Sequence, residues 1–338
     1  MHTAEQVEIF SAKDLETDQE VRWCPGCGDY AILNSVKKIL PELGKPKHEF
    51  VFISGIGCSS RFPYYMNTYG LHSIHGRAAA VATGLKTTRP ELSVWMITGD
   101  GDSLSIGGNH LIHTLRRNPD INILLFNNQI YGLTKGQFSP TSEEGKVTKS
   151  SPSGAVDHPF NPLSLCLGAN ATFIGRTIDR DAKHQQEVYK RAYFHHGTSL
   201  VEIYQNCNVF NDGAFEVFTD KETKLLNGIY LEHAMPLVFD NGTKGIKLNG
   251  LTPELIDLSV YSINDCMIHD EKDKTKAFIL TQFSNNIELP RPFGILYCDG
   301  QKSTFENGMN EQIKNAEIKD KKHAFNDLLK SKAFWEVK

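Results

Sequence analysis

Between residues 50 and 205, short apolar runs rich in β-forming residues alternate with helical stretches, and this alternation constrains the fold more than any other feature of the chain. FVFISGIG (50–57), LSVWMITG (92–99), INILLFNN (121–128), TFIGRTI (172–178) and TSLVEIY (198–204) read as strands. RAAAVATGLKTT (77–88), SLSIGGNHLIHTLRR (103–117) and AKHQQEVYKRAYFHH (182–196) read as the helices between them. The pattern predicts an α/β fold, a doubly wound and mostly parallel sheet covered on both faces. INILLF, the strongest apolar run, is too short to span a bilayer, and the polar N-terminus lacks the apolar core of an export signal, so a cytoplasmic protein with no membrane partner is expected. With 22% charged residues and a net charge of -4, the chain is globular and has no basic excess that would suit nucleic acid.

The most specific stretch is TGDGDSLSIGGNHLIHTLRRNPDINILLFNNQIYGL. One strand ends in Gly99-Asp100-Gly101, a helix starts at once, and the next strand ends in Asn127-Asn128. Both clusters should lie at the carboxyl edge of neighbouring parallel strands, where open α/β sheets bind ligands. Asp100 offers an anionic oxygen and Asn128 a neutral one, a pair suited to an octahedral Mg²⁺ that also holds phosphate oxygens. The glycines admit backbone N–H groups to a diphosphate, and the helix N-terminus adds partial positive charge. Taken singly, Asp100 or Asp102 could be a helix cap and Asn127-Asn128 a turn. Taken together, GDG followed after 25 residues by NN resembles the thiamine diphosphate signature. That resemblance implies Mg²⁺ ligation by Asp100, the Asn128 side chain and the Ile130 carbonyl, with Gly101, Asp102, Gly132 and Leu133 along the diphosphate. His110 and His113 lack a third ligand nearby and read as helix-surface or packing residues.

Cys24-Pro-Gly-Cys27 alone is compatible with half a zinc site, a redox dithiol or half a cluster site. No second CxxC or His pair follows at short range, as a zinc ribbon requires, and the residues before Cys24 show no strand pattern of the kind that precedes a thioredoxin-like dithiol. Cys58, at the end of the first predicted strand, and Cys207, just after the last, should reach the same sheet edge as Asp100 and Asn128. Four thiolates converging there could hold a 4Fe-4S cluster. Cys166, Cys266 and Cys298 read as small buried hydrophobes.

The segments WCPGCGDYAIL, GIGCSSR, HSIHGRAAAVATGLK, GDGDSLSIGGNH and NNQIYGLTKGQFSPT closely resemble the β subunits of 2-oxoacid:ferredoxin oxidoreductases, 2-oxoglutarate synthase most of all, over residues 20 to 215. The resemblance implies that Cys24, Cys27, Cys58 and Cys207 ligate a 4Fe-4S cluster, that Ile56, Gly57, Cys58 and Ser59 touch the thiamine, and that His75 reaches the cofactor. The alternative for His75 and Arg77 is a pair of satisfied residues ahead of a core helix. The implied activity is oxidative decarboxylation of a 2-oxoacid, with electrons passed to ferredoxin and the acyl group to coenzyme A. Arg61, three residues after Cys58, is expected to reach a substrate carboxylate, which favours 2-oxoglutarate over pyruvate. The alternatives are the same chemistry on pyruvate or another 2-oxoacid, and a non-redox thiamine-dependent decarboxylase subunit. Thiamine enzymes of this kind form the ylid with a glutamate on a second domain for which the residues before Gly99 leave no room, so an α (or fused γ-α) subunit is expected as partner.

The expected organisation is a cofactor domain over 1–215 and an extension over 216–338 that packs on the partner. The long 134–162 stretch, rich in Gly, Ser, Thr and Pro, reads as a functional lid or mobile loop. FDNGTKGIKLNG suggests a hairpin, and the residues from 311 onward a charged helical tail.

Overall fold

Strand β1 (Phe50–Ser54) is buried along its whole length and divides its side chains between two cores. Phe50 and Phe52 pack on one face of the sheet, Val51 and Ile53 on the other, as a pleated strand with a period of two requires. The same division runs through the sheet: Trp95, Phe126 and Ile203 join the aromatic side, Met96, Ile123 and Leu200 the aliphatic side. The computed structural model describes residues 10–319 together with Leu329, Lys330 and Trp335. The polar N-terminal residues 1–9 and most of the charged tail beyond 319 lie outside the described residues.

In chain order the further strands are β2 (Tyr69–His72), β3 (Ser93–Gly99), β4 (Ile121–Asn127), β5 (Phe173–Ile178), β6 (Ser199–Tyr204), β7 (Gly228–Tyr230), β8 (Val238–Phe239), β9 (Lys244–Asn249), β10 (Thr252–Asp257) and β11 (Arg291–Cys298). Eight of them form one sheet in the order β2-β1-β3-β4-β6-β5-β11-β7. It is parallel except where β11 runs antiparallel to β5, so the doubly wound, mostly parallel α/β sheet is as expected. Helices α1 (Asp29–Ile39), α2 (Ala78–Thr88), α3 (Asp100–Leu104), α4 (Gly108–Arg117), α5 (Pro162–Gly168), α6 (Ala182–Tyr193), α7 (Lys224–Asn227), α8 (Lys274–Gln282) and α9 (Phe305–Lys319) complete the order. Residues of α1 and α6 fall in the aromatic core, those of α2, α4, α5 and α8 in the aliphatic one. No helix among the described residues is long and apolar enough to cross a membrane.

One expectation changes. The helix expected over 103–117 is broken: α3 ends at Leu104, Ser105 leaves helical geometry, and α4 starts at Gly108. The residues after 215 share the core of those before it, since β7 and β11 join the main sheet and Ile295 packs in the same cluster as Phe173. The expected hairpin is present as β8 and β9, paired antiparallel through Val238 and Gly245, with β10 added beyond it.

The sheet interior also holds a charge pair. Arg176 on β5 faces Glu202 on β6, both almost fully buried, with Nε 2.7 Å from Glu202 Oε2. Asn127 Nδ2 donates to the other Glu202 oxygen, and Arg176 reaches the Pro292 carbonyl of β11. Removing one member leaves the other charge unpaired in the interior. Arg176→Met is therefore expected to lower unfolding stability by about 3–5 kcal/mol, measured from denaturant midpoints.

Candidate active site

Strands β1, β3, β4 and β6 are parallel and end at one edge, where the residues that follow them enclose a cavity of about 490 Å³. The turn after β1 contributes Ile56, Gly57, Cys58 and Ser59; the start of α3 contributes Asp100, Gly101 and Asp102. Asn128, Ile130, Gly132 and Leu133 enter after β4, and His75 comes from the loop before α2. Gly57 has φ +139° with nothing within 4 Å of where a side chain would stand, so the backbone borders open cavity space.

Asp100 is buried at the head of α3, and its Oδ2 accepts hydrogen bonds from Ser139 Oγ (2.5 Å) and Thr141 Oγ1 (2.6 Å). Burial pushes its carboxyl up to about 6 although the two hydroxyls pull the other way. A buried anion held only by neutral donors suits a cation. Asn128 turns its Nδ2 to Gln205 Oε1 (2.9 Å), while its Oδ1 accepts the Ile130 N–H (3.1 Å) and keeps a second lone pair. The donor set of Asp100, Asn128 and the Ile130 carbonyl is all oxygen, as Mg²⁺ requires.

Asp102 lines the same cavity, and its side chain is held by the protein. Its carboxylate accepts from Ile56 N, Gly76 N, Thr98 Oγ1 and His75 Nδ1, all within 2.7–3.0 Å. The side chain is thereby committed to the protein, and what remains for a diphosphate is backbone. With Nδ1 engaged, Nε2 is the His75 nitrogen left for the cavity, so His75 is held by Asp102 and still lines the site.

The cysteines come together from three segments. Trp23 Nε1 donates to the Cys58 carbonyl (2.7 Å), tying the Cys24–Cys27 turn to the end of β1. Asn208 Nδ2 donates to the Pro25 carbonyl (2.6 Å), tying the same turn to the segment after β6. Burial raises the Cys27 thiol well above its ordinary value, with further increments from Asp29, Cys58 and Cys207. The Cys58 thiol is pushed up to about 12 by burial, with Asp29, Cys207 and Cys24 adding to it and Arg61 opposing. Thiols that disfavour one another's ionisation suit a site whose cationic core takes up their charge. A methyl group on Gly132 would stand 3.4 Å from Cys58 Sγ and 3.6 Å from Cys207 Sγ, so glycine there keeps the space beside both sulfurs free. Among the described residues, no three His, Cys, Asp or Glu side chains close around one point as a single bound ion would need.

Arg61 is not brought into this cavity. It follows Cys58 by one 3₁₀ turn (Ser59–Tyr65), near enough to act on the thiol, but it lines a separate cavity with Glu20, Arg22, Tyr64, Tyr65 and His72. Cys166 and Cys266 are buried as expected, whereas Cys298 is half-buried beside His195. Three site residues escape a reading of the sequence. Ser139 and Thr141 sit in the Ser/Thr-rich stretch expected to be a lid, yet they are buried against Asp100. Asp29, fully buried at the cavity wall, has no N–H or O–H partner for either oxygen among the described residues and only the Cys27 thiol beside it; burial raises its carboxyl to about 7. The residues after Cys27 carried a signal for it, an acid in the first turn of a helix.

Residues 55–203 match the family model described as the thiamine pyrophosphate enzyme C-terminal TPP binding domain, so the cavity belongs to a thiamine diphosphate-binding domain. The chain is 57% identical over 276 residues to the 2-oxoglutarate oxidoreductase subunit KorB of Mycobacterium tuberculosis, covering 81% of this chain and 74% of that one. It is 42% identical to the β subunit of a 2-oxoacid:ferredoxin oxidoreductase of Aeropyrum pernix, over 60% of this chain and 64% of that one. Among solved structures, the 2-oxoglutarate:ferredoxin oxidoreductase of Magnetococcus marinus, with 2-oxoglutarate, coenzyme A and succinyl-CoA bound, superposes with a TM-score of 0.76 at 32% identity, over 96% of each chain. The chain belongs to the 2-oxoacid:ferredoxin oxidoreductase β-subunit family.

Proposed function

We propose that this chain is the β subunit of a coenzyme A-dependent enzyme that oxidatively decarboxylates 2-oxoglutarate to succinyl-CoA and passes the electrons through a 4Fe-4S cluster to ferredoxin in the cytoplasm. The observation that carries the reading is the position of Cys58, which lies in the wall of the Asp100–Asn128 cavity and within charge reach of Cys24, Cys27 and Cys207. Thiamine diphosphate, when bound, supplies the electron sink for decarboxylation, and the cluster supplies a one-electron acceptor beside it.

The chain's own residues bind, orient and move protons. Asp100, Asn128 and the Ile130 carbonyl would hold Mg²⁺; Gly101, Gly132, Leu133 and the backbone of Asp102 would border the diphosphate. Ile56, Gly57, Cys58 and Ser59 would flank the thiamine, and Cys24, Cys27, Cys58 and Cys207 would hold the cluster. His75, fixed by Asp102, can donate or accept a proton at Nε2. The loop that lines the cavity through Thr134 and Gln137 also carries Lys135, which with Lys146 and Lys149 borders a second cavity of about 430 Å³. Three ammonium groups there suit the phosphates of coenzyme A. No glutamate lines the main cavity among the described residues, so the ylid-forming acid is assigned to an α (or fused γ-α) subunit. Part of the 216–338 segment, where Leu251 and Val260 are exposed, is assigned to contact with that subunit.

The names of the relatives favour 2-oxoglutarate, and Arg61 stays a candidate for its distal carboxylate that the variant below decides. The test is coenzyme A-dependent ferredoxin reduction by the co-expressed complex, with 2-oxoglutarate, pyruvate and 2-oxobutyrate compared. We expect kcat/KM to be highest for 2-oxoglutarate and no turnover by the isolated chain; a preference for pyruvate would overturn the substrate. In the same complex, a loss in Arg61→Met confined to 2-oxoglutarate would return the arginine to the substrate. An equal loss for all three would leave it as a counter-charge to Cys58. A non-redox decarboxylase subunit would turn over a 2-oxoacid without iron, so iron analysis of the active complex separates that alternative.

A further inference from the structure

Gln205 follows β6 by one residue and is 2% exposed, and its side chain spans the two halves of the site. Its Oε1 accepts a hydrogen bond from Asn128 Nδ2 (2.9 Å). Its Nε2 donates to the Asn206 carbonyl (2.5 Å) and lies 3.3 Å from Cys27 Sγ. The direction of these bonds is fixed by their neighbours. The Ile130 N–H donates to Asn128 Oδ1, so the Asn128 nitrogen faces Gln205 and the Gln205 oxygen must face it. The Gln205 nitrogen is then turned to a carbonyl, which takes one of its protons, and to a sulfur, which can take the other. The main chain holds the residue in place, with Gln205 N donating to the Asn127 carbonyl. The backbone of Gly28 passes so close that an added Cβ would lie 3.0 Å from Gln205 Cγ.

We propose that Gln205 is a positioning residue that sets the reduction potential of the cluster through an Nε2–H···Sγ hydrogen bond to Cys27, anchored at its other end on the proposed Mg²⁺ ligand Asn128. This rests on the cluster reading above. A hydrogen bond to a ligand sulfur stabilises the reduced cluster, which carries one more electron, over the oxidised one, so it raises the potential. Gln205 makes no contact with substrate in this role; it acts by holding a proton against a sulfur. The same amide also makes the orientation of Asn128 depend on the side chain that faces Cys27.

The test uses the complex co-purified with its α subunit. Gln205→Met keeps the length of the side chain and removes both the donor and the acceptor. We expect full iron content, a midpoint potential shifted to more negative values, and the loss of one exchangeable-proton hyperfine coupling that the reduced wild-type cluster shows by ENDOR. Mg²⁺-dependent thiamine diphosphate binding is expected to weaken in the same variant through Asn128. An unchanged potential in a variant with full iron would overturn the inference and leave the cluster reading standing. So would loss of the cluster in both Gln205→Met and Gln205→Leu, since the amide would then hold the cluster together rather than tune it. The absence of iron from the wild-type complex would overturn both, and an ENDOR coupling unchanged in Gln205→Met would overturn the inference alone.

Discussion

Serine in place of Cys24, Cys27, Cys58 or Cys207, introduced one at a time into the assembled complex, is expected to remove the broad iron–sulfur absorbance and the reduced-state EPR signal, whereas Cys166→Ser keeps both. The contrast follows from where the sulfurs lie. Cys166 sits fully buried in α5 among aliphatic side chains, where burial and then the Glu202 charge raise its thiol and no other cysteine contributes. Cys27 and Cys58 are raised by burial, then by Asp29 and by other cysteines of the set, an arrangement in which a shared cationic core would relieve both thiolates. An alkoxide is a poorer partner than a thiolate for iron in such a core, so each replacement removes a ligand without altering the fold. The ties from Trp23 to Cys58 and from Asn208 to Pro25 keep the three segments together, so circular dichroism and melting behaviour should stay near wild type. Normal iron content in Cys207→Ser would remove the fourth ligand from this assignment.

The sheet can be read in the sequence because its central strands are buried on both faces and say so in their composition. The site is partly legible for a related reason: in a parallel sheet, the residues just after each strand share one edge, so Cys58, Asp100, Asn128 and Cys207 could be grouped without knowing any distance. What stayed hidden depends on partners far along the chain. Ser139 and Thr141 lie 39 and 41 residues from Asp100, and nothing in a Ser/Thr-rich loop announces a buried carboxylate as its partner. Asp102 reads locally as the first turn of a helix, and its four donors come from the β1 turn, from β3 and from the loop before α2. β11 has Pro292 near its start and Gly294 at φ +113°, both of which argue against a strand, and its neighbour β5 lies over a hundred residues earlier. For Arg61, spacing gives proximity to Cys58 but not the direction in which a 3₁₀ turn sends the side chain.

Asp100→Ala is expected to abolish the Mg²⁺-dependent part of thiamine diphosphate binding, because Asp100 is the only charged protein ligand assigned to the ion. The effect on the protein without ligand should run the other way. The carboxylate is buried and its ionised form is disfavoured, as its upward shift to about 6 shows, so its removal relieves a desolvation cost and should leave the melting temperature unchanged or higher. Ligand binding restores the difference: wild type gains RT ln(1 + [L]/Kd) when Mg²⁺ and thiamine diphosphate are added together, about 2.7 kcal/mol at a hundredfold excess over Kd, and the variant gains none of it. Ser139→Ala and Thr141→Ala keep the charge and lose one donor each, so an intermediate weakening of about 10–100-fold in Mg²⁺ affinity is expected, the range typical of groups that orient a metal ligand. Thermal shift with the ion and the cofactor added separately and together reads all four proteins in one experiment. If Asp100→Ala gains as much stability from the pair as wild type does, the Gly99–Gly101 stretch is only the start of a helix, and the assignment of Asn128 and Ile130 as its fellow ligands falls with it.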